Sequence, residues 1–246
     1  MISLGLVAVV VGLLIGAVGV GGVLLIPALD FLTPLSVQTA MATTLFTFIF
    51  TGVAATWLFQ RRGSIDWSLT VPLCIGSALF GFVGAWANSL LDAFALALVL
   101  AVLIVLAGIY TLSSNAGARR AAFEGRPHAR RNLLFMVGAL TGFGSGLTGV
   151  GGPALSVPMM VMFGFSPLAT VGASQVVQIF AAVSGSAGNL LHGQIDFQLA
   201  GILTVFELIG VSLGVHLAHA VHARSLRRAV GMLCVAVGAG LLICML

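Results

Sequence analysis

The sequence predicts an all-α polytopic membrane protein, and two features of its composition carry this prediction. Hydrophobic residues make up 60% of the 246 residues, and only 7% are charged, whereas about a quarter of the residues in a soluble domain are charged. So few polar side chains could not cover the outside of a soluble core. A membrane helix needs about 20 apolar residues, so the chain has room for at most about eight or nine spans.

Charged residues and prolines divide the chain into eight apolar blocks. One separator is much longer and more polar than the rest: residues 114–132, which contain five arginines. We therefore predict an N-terminal transmembrane part (1–113), an Arg-rich linker (114–132) and a C-terminal transmembrane part (133–246). The blocks cover roughly residues 2–32, 36–60, 67–88, 92–113, 133–163, 167–191, 197–220 and 226–246.

The two transmembrane parts are related as repeats at an offset of 130 residues. The run GAVGVGG at 16–22 aligns with GLTGVGG at 146–152, and GSIDW at 63–67 aligns with GQIDF at 193–197. Chance does not keep one offset through so many glycine and aspartate positions. The sequence therefore predicts two homologous halves of four apolar blocks each.

The arginines favour an inverted relation between the halves. If each half crossed four times, the halves would be parallel, and Arg224, Arg227 and Arg228 would lie on the side opposite to the other seven arginines. If the first block of each half is instead a broken, re-entrant hairpin, all ten arginines share one side, as the positive-inside rule prefers. We expect six full crossings and two re-entrant segments; a broken first helix that crosses fully is the alternative.

The doubled glycine run indicates a binding site. Glycines weaken a helix interior, and broken helices in inverted repeats are typical of substrate sites in secondary transporters. The amides that begin the following half-helix would favour an anion. Hydroxyl and amide side chains follow in the next block, although such groups also bond back to their own helix. The predicted substrate-binding residues are Gly19, Gly21, Gly22, Thr43, Thr44, Gly149, Gly151, Gly152, Ser174, Gln175 and Gln178.

Other glycines are spaced as in packed membrane helices. The pairs 12/16, 138/142, 142/146 and 210/214 each have glycines four residues apart. Small residues at this spacing let two helices approach closely. We predict that these pairs serve helix packing and not binding.

Glu207 is the one acidic residue placed inside a membrane block. An ionisable residue at this depth is expensive and is a candidate for function, here proton coupling. The alternative is a carboxylate that faces water near a tilted helix end. The aligned position in the other half is Ser77, so any coupling role would be asymmetric.

The sequence indicates no enzyme, cofactor or nucleic-acid partner. It contains no HExxH, no CxxC and no paired intramembrane aspartates, and the arginines follow membrane topology and form no soluble basic face. His216, His219 and His222 could together bind a metal, but no fourth ligand is apparent. We expect interfacial, solvated histidines and no metal site.

The order of these motifs resembles the TauE/SafE family of sulfite exporters. The shared features are the doubled GVGG with a following proline, ATTL at 42–45 or GASQ at 172–175, the two GxID-aromatic segments and the Arg-rich central loop. The family often has a third glycine where Val23 and Pro153 stand, and a leucine where Gln175 makes the second half more polar.

The resemblance implies transport of sulfur-containing anions, such as sulfite or organosulfonates, across the bacterial cytoplasmic membrane. The Arg-rich loops would then be cytoplasmic, and the partners would be the anion and the lipid bilayer. An anion channel and a non-transporting membrane assembly factor are the alternatives. The sequence leaves open the direction of transport, the coupling ion and whether the protein forms a homo-oligomer.

Overall fold

The computed structural model describes residues 2–19, 21–113, 123, 125–192 and 195–220, with a few positions between 232 and 243. These residues form helices and no strand. Most of the predicted last block, 226–246, and of the linker lies outside the described residues. The helices are α1 (Ile2–Val18), α2 (Gly22–Leu32), α3 (Val37–Arg61), α4 (Trp67–Leu90), α5 (Ala93–Ser113), α6 (Pro127–Thr148), α7 (Gly152–Met162), α8 (Pro167–His192) and α9 (Phe197–Ala220).

The first block of each half is broken at its glycine run. Gly19 and Gly149 have φ angles of 79° and 68°, and Gly151 has a φ of 90°. L-residues other than glycine rarely adopt this region. The helix therefore ends within each run, at Val18 or Thr148, and starts again at the last glycine of the run, so the predicted break is confirmed.

The start of α6 differs from the predicted linker boundary. This helix begins at Pro127, within the segment assigned to the linker, so Arg130 and Arg131 are helical. Proline is favoured at the first helical position, where its missing N–H costs nothing. Polar residues can extend a membrane helix beyond its apolar part, so polarity alone does not mark the helix end.

The two halves pack against each other in matching pairs. Helix α1 packs on α9, and α6 packs on α4. A Cβ added to Gly12 would fall on the carbonyl oxygen of Glu207, and one added to Gly142 would fall on that of Ser77. Gly142 lies 130 positions after Gly12, and Glu207 lies 130 positions after Ser77, so the two contacts are equivalent in the repeat. The remaining paired glycines also abut backbone of the facing helix, which confirms that they serve packing: Gly16, Gly138, Gly146, Gly210 and Gly214.

The contacts of α9 give the chain directions in the first half. Gly12 and Gly16 of α1 face Glu207 and then Val211, so α1 and α9 run in the same direction. Helix α3 also runs with α9. The amide of Asp196, just before α9, donates to Thr43 near the start of α3, and the guanidinium of Arg62 donates to the carbonyl oxygen of Val215 near the other end. Since α1 and α3 run the same way, the chain reverses between them at the glycine break.

The second half repeats this arrangement with α4 as its reference. Gly138 and Gly146 of α6 face Leu73 and then Gly81 of α4, so α6 and α4 run in the same direction. Helix α8 also runs in the direction of α4, because Ser184 bonds to Ala78 and Gly188, further along α8, contacts Ala85. Helices α3 and α8 run in opposite directions. These two contact each other through Gln178 with Thr51 and through Gly185 with Leu45.

Four of the described helices are long and apolar enough to cross a membrane: Val37–Arg61, Trp67–Leu90, Leu168–Leu191 and Phe197–Ala218. The chain is thus a multi-pass helical membrane protein. The described arginines gather at one end of the bundle. Arg61 and Arg62 lie where α3 ends, and Arg130 at the start of α6 lies 5.5 Å from the ring of Phe165, which precedes α8.

Candidate functional site

The two glycine breaks meet in the middle of the bundle. A Cβ added to Gly22 would fall on the carbonyl oxygen of Val150, and one added to Gly19 would lie 3.0 Å from the Cβ of Pro153. The neighbouring residues Phe48 and Gln178 each stand twelfth in their helices, which have 25 and 26 residues. The starts of α2 and α7 therefore lie side by side near the midpoint of the two central helices.

The ring of Phe48 fills the space between the two half-helix starts. A Cβ added to Gly22 would lie 2.7 Å from its Cζ, and one added to Gly151 would lie 2.8 Å from its Cδ2. Phe48 is 1% exposed. Phe48 is not among the residues predicted from the sequence, although it stands 130 positions before Gln178 and the repeat could have indicated it.

The electrostatics of this region come from backbone and not from basic side chains. The first amides of a helix have no partner within the helix and carry partial positive charge. In α7 these donors are Gly152 and Ala154, because Pro153 between them has no N–H. The chain has no lysine, and the described arginines lie towards one end. An anion here would therefore be held by amides and neutral polar groups.

Two glutamines of α8 reach across to the first half. The side-chain nitrogen of Gln178 donates to the carbonyl oxygen of Phe48 at 3.1 Å and to the hydroxyl of Thr51 at 3.0 Å. The nitrogen of Gln175 donates to the carbonyl oxygen of Ile15 at 3.2 Å, in the last turn of α1 before the break. Its Oε1 has no partner among the described residues. This oxygen is a buried acceptor next to the glycine breaks.

The hydroxyl groups of the predicted site have different surroundings. Ser174 shares a hydrogen bond of 2.8 Å with Ser156, which donates to the carbonyl oxygen of Gly152 in the first turn of α7. Thr43 accepts from the amide of Asp196 at 3.1 Å and so fixes the start of α9. The hydroxyl of Thr44 is buried and has no partner among the described residues.

All eleven predicted substrate-binding residues are buried, and most of them surround the meeting point of the breaks. Gly19, Gly22, Gly151 and Gly152 contact the opposite half or Phe48 directly. Gly21 instead abuts α1, and Gly149 abuts the backbone of Met41. The structure brings glycines, Gln175, Gln178 and Ser174 together, whereas Thr43 is bonded to the amide of Asp196 in front of α9.

Glu207 lies at the same depth. Its side chain is 0% exposed, so the alternative of a water-facing carboxylate at a helix end does not describe it. Thr47 of α3 lies beside the carboxyl group, but its hydroxyl donates to the carbonyl oxygen of Thr44 at 2.8 Å. Neither carboxyl oxygen has a hydrogen-bond partner in the described part of the chain.

His216 lies away from this centre. His216 is exposed, and its Nδ1 lies 2.7 Å from the carbonyl oxygen of Ser212 on the same helix. His222 lies outside the described residues. Among the residues that are described, no three histidine, cysteine or acidic side chains are grouped so that they could hold a metal ion.

Comparison with known proteins finds one family that matches nearly the whole chain. A family model described as sulfite exporter TauE/SafE matches residues 4–241. The probable membrane transporter protein YunE of Bacillus subtilis is 27% identical over 87% of this chain and 86% of its own length. The probable membrane transporter protein YjnA of the same organism is 28% identical over 88% of this chain and 90% of its own length. No solved structure matches the chain significantly.

Proposed function

The chain belongs to the sulfite exporter TauE/SafE family, and we propose that it is a secondary transporter that moves small sulfur-containing anions across the bacterial cytoplasmic membrane. Sulfite and organosulfonates are the substrate class. The anion binds where α2 and α7 begin. The observation that carries this proposal is the meeting of two glycine-broken helices at the middle of an apolar bundle, where the first amides of α2 and α7 have no partner within their own helices.

The chemistry of the site suits a small oxyanion. Free amides at two half-helix starts donate hydrogen bonds to anionic oxygens, and Ser174 and Gln178 lie beside the start of α7. A site without a basic side chain leaves the anion less tightly bound than an arginine pair would. Weak binding favours release on the far side of the membrane.

The chain directions support an inverted arrangement of the halves. In each half the chain reverses at the glycine break, and the central helices α3 and α8 run in opposite directions. The two hairpins therefore enter the bundle from opposite ends and meet near its midpoint. With the arginine-rich end in the cytoplasm, α1 and α2 enter from outside and α6 and α7 from inside.

This geometry supports alternating access as the mode of transport. The site residues are buried in the described conformation, and the ring of Phe48 separates the two half-helix starts. The anion can enter only if one half rocks against the other and Phe48 moves. Because the halves are related by the repeat, the same motion in the opposite sense opens the site to the other side.

Flux measurements in proteoliposomes test the proposed function. Protein-containing vesicles should take up radiolabelled sulfite or the organosulfonate methanesulfonate faster than protein-free vesicles, with saturation as the anion concentration rises. Unlabelled anion inside should accelerate entry of the label, because a carrier returns faster when loaded. Flux that neither saturates nor responds to internal anion would indicate a channel. No flux of either anion through well-folded protein would remove the sulfur-anion assignment.

A further inference from the structure

The most unusual buried group outside the anion site is the carboxyl group of Glu207. It stands eleventh of the 24 residues of α9, so a rise of 1.5 Å per residue places it about 15 Å from the start of the helix. The aligned residue of the other half is Ser77, also fully buried, whose hydroxyl donates to the carbonyl oxygen of Cys74 at 3.1 Å. The helices therefore pack at the equivalent position of the first half without a carboxyl group, and only the second half has one, at Glu207.

The described surroundings of Glu207 provide no opposite charge. Helix α1, which packs on it through Gly12, contains no titratable residue. Helix α3 has Arg61 as its only charged residue, followed by Arg62 at its end, and both lie at the arginine-rich end of the bundle. On α9 itself the next titratable residue is His216, which is exposed. An unpaired carboxylate is costly at this depth, whereas a protonated carboxyl group carries no charge.

A proton fits this environment better than a metal cation. Hard cations such as Ca²⁺ take six or more oxygen ligands, but Glu207 is not part of any grouped set of acidic or histidine side chains among the described residues. Thr47 lies beside it, and the hydroxyl of Thr47 already donates to the carbonyl oxygen of Thr44. A single carboxyl group with one hydroxyl neighbour can bind one proton.

A row of threonines joins this carboxyl group to the anion site. Thr47 lies beside Glu207, and the hydroxyl of Thr51, one turn later on α3, donates to the carbonyl oxygen of Thr47 at 3.4 Å. Thr51 in turn accepts from the side-chain nitrogen of Gln178 at 3.0 Å. The backbone of Gln178 lies against Gly152, where a Cβ would come within 3.2 Å of its Cα. Three polar contacts thus lead from Glu207 to Gln178, whose backbone packs against the start of α7.

We propose that Glu207 binds the proton that is carried together with the anion, and that Thr47 and Thr51 connect this proton site with the half-helix that holds the anion. The inference rests on the proposed transport function. The carboxylate takes one proton from water on one side and releases it on the other. A monoanion and one proton together carry no net charge, so a complete transport cycle moves no net charge across the membrane.

The transport test compares Glu207→Gln with Ser77→Ala, a change at the equivalent position of the other half. For one proton per monoanion, a gradient of one pH unit supports about tenfold accumulation, since each factor of ten corresponds to about 1.4 kcal/mol. Wild type and Ser77→Ala should accumulate the anion in response to an acidic exterior. Glu207→Gln should only equilibrate it, while anion exchange at equal pH continues. Accumulation by Glu207→Gln equal to wild type would overturn the proposal, as would accumulation that follows a sodium gradient and not the pH gradient.

A second readout does not depend on transport. Infrared difference spectra of the purified protein should contain a protonated-carboxyl band that titrates with pH, disappears in Glu207→Gln and remains in Ser77→Ala. Thr47→Val should shift the titration without removing the band. A wild type with this band but no anion flux would refute the proposed function and leave the proton site standing. The absence of a titrating band that depends on Glu207 would refute the proton site itself, whatever the flux.

Discussion

Replacing Gly151 with leucine should abolish anion flux in proteoliposomes. Gly151 has a φ of 90° and precedes the first residue of α7. A side chain strains this backbone conformation, at a cost on the order of 1–3 kcal/mol, and its Cβ would lie 2.8 Å from the ring of Phe48. Leucine would therefore displace the start of α7 and fill the space where the two half-helices meet.

Gly201→Leu is the matched control for Gly151→Leu. Gly201 is on α9, and a Cβ added there meets no atom within 4 Å, so flux should stay at the wild-type rate. Gly151→Ala should be intermediate, because it adds the strain and one methyl group only. Size-exclusion profiles of each variant establish that it is folded before flux is compared. Wild-type flux from folded Gly151→Leu would show that the anion does not pass the start of α7.

Replacing Gly146 with leucine should prevent assembly of the folded protein. A Cβ at Gly146 would fall on the carbonyl oxygen of Gly81, and the amide of Ala85 is 2.8 Å away. Overpacking typically costs about 1–3 kcal/mol, and here the obstructing atoms are backbone, which cannot rotate aside. Helix α6 would have to separate from α4 along their contact.

Alanine at the same position permits a graded measurement. Gly146→Ala should lower the midpoint of thermal unfolding in detergent, and Gly16→Ala should do so by a similar amount, because a Cβ there would lie 2.5 Å from the carbonyl oxygen of Val211 in the equivalent contact. Gly201→Ala provides the reference. If all three variants unfolded at the same midpoint temperature, close packing at Gly146 and Gly16 would be contradicted.

Helix positions in this protein follow closely from the sequence, because apolar length and charged separators determine where a membrane helix can lie. The block predicted at 36–60 is the helix Val37–Arg61, and the breaks lie at the duplicated glycines. The start of α6 at Pro127 was not predicted. The polar composition of the segment before a membrane block is the same whether that segment is helical or not, so it does not indicate where the helix begins.

The details of the site depend on tertiary contacts that a single sequence does not display. Phe48 is one of 16 phenylalanines in an apolar chain, and only the approach of Gly22 and Gly151 gives it a distinct position. Thr43 and Thr47 are both threonines of one membrane helix. Their partners distinguish them, since Thr43 accepts from the amide of Asp196, whereas Thr47 lies beside Glu207.

The proposed mode of transport requires that the two glycine-broken hairpins enter from opposite sides of the membrane and meet. Labelling of single cysteines tests this topology, in a background where Cys74, Cys234 and Cys244 are replaced by alanine. Ser36, between α2 and α3, and Ser166, between α7 and α8, are both exposed and occupy equivalent connections of the two halves. A membrane-impermeant maleimide should label Ser36→Cys in intact cells and Ser166→Cys only in inside-out vesicles. Labelling of both positions from the same side would contradict this topology, because the halves would then be parallel.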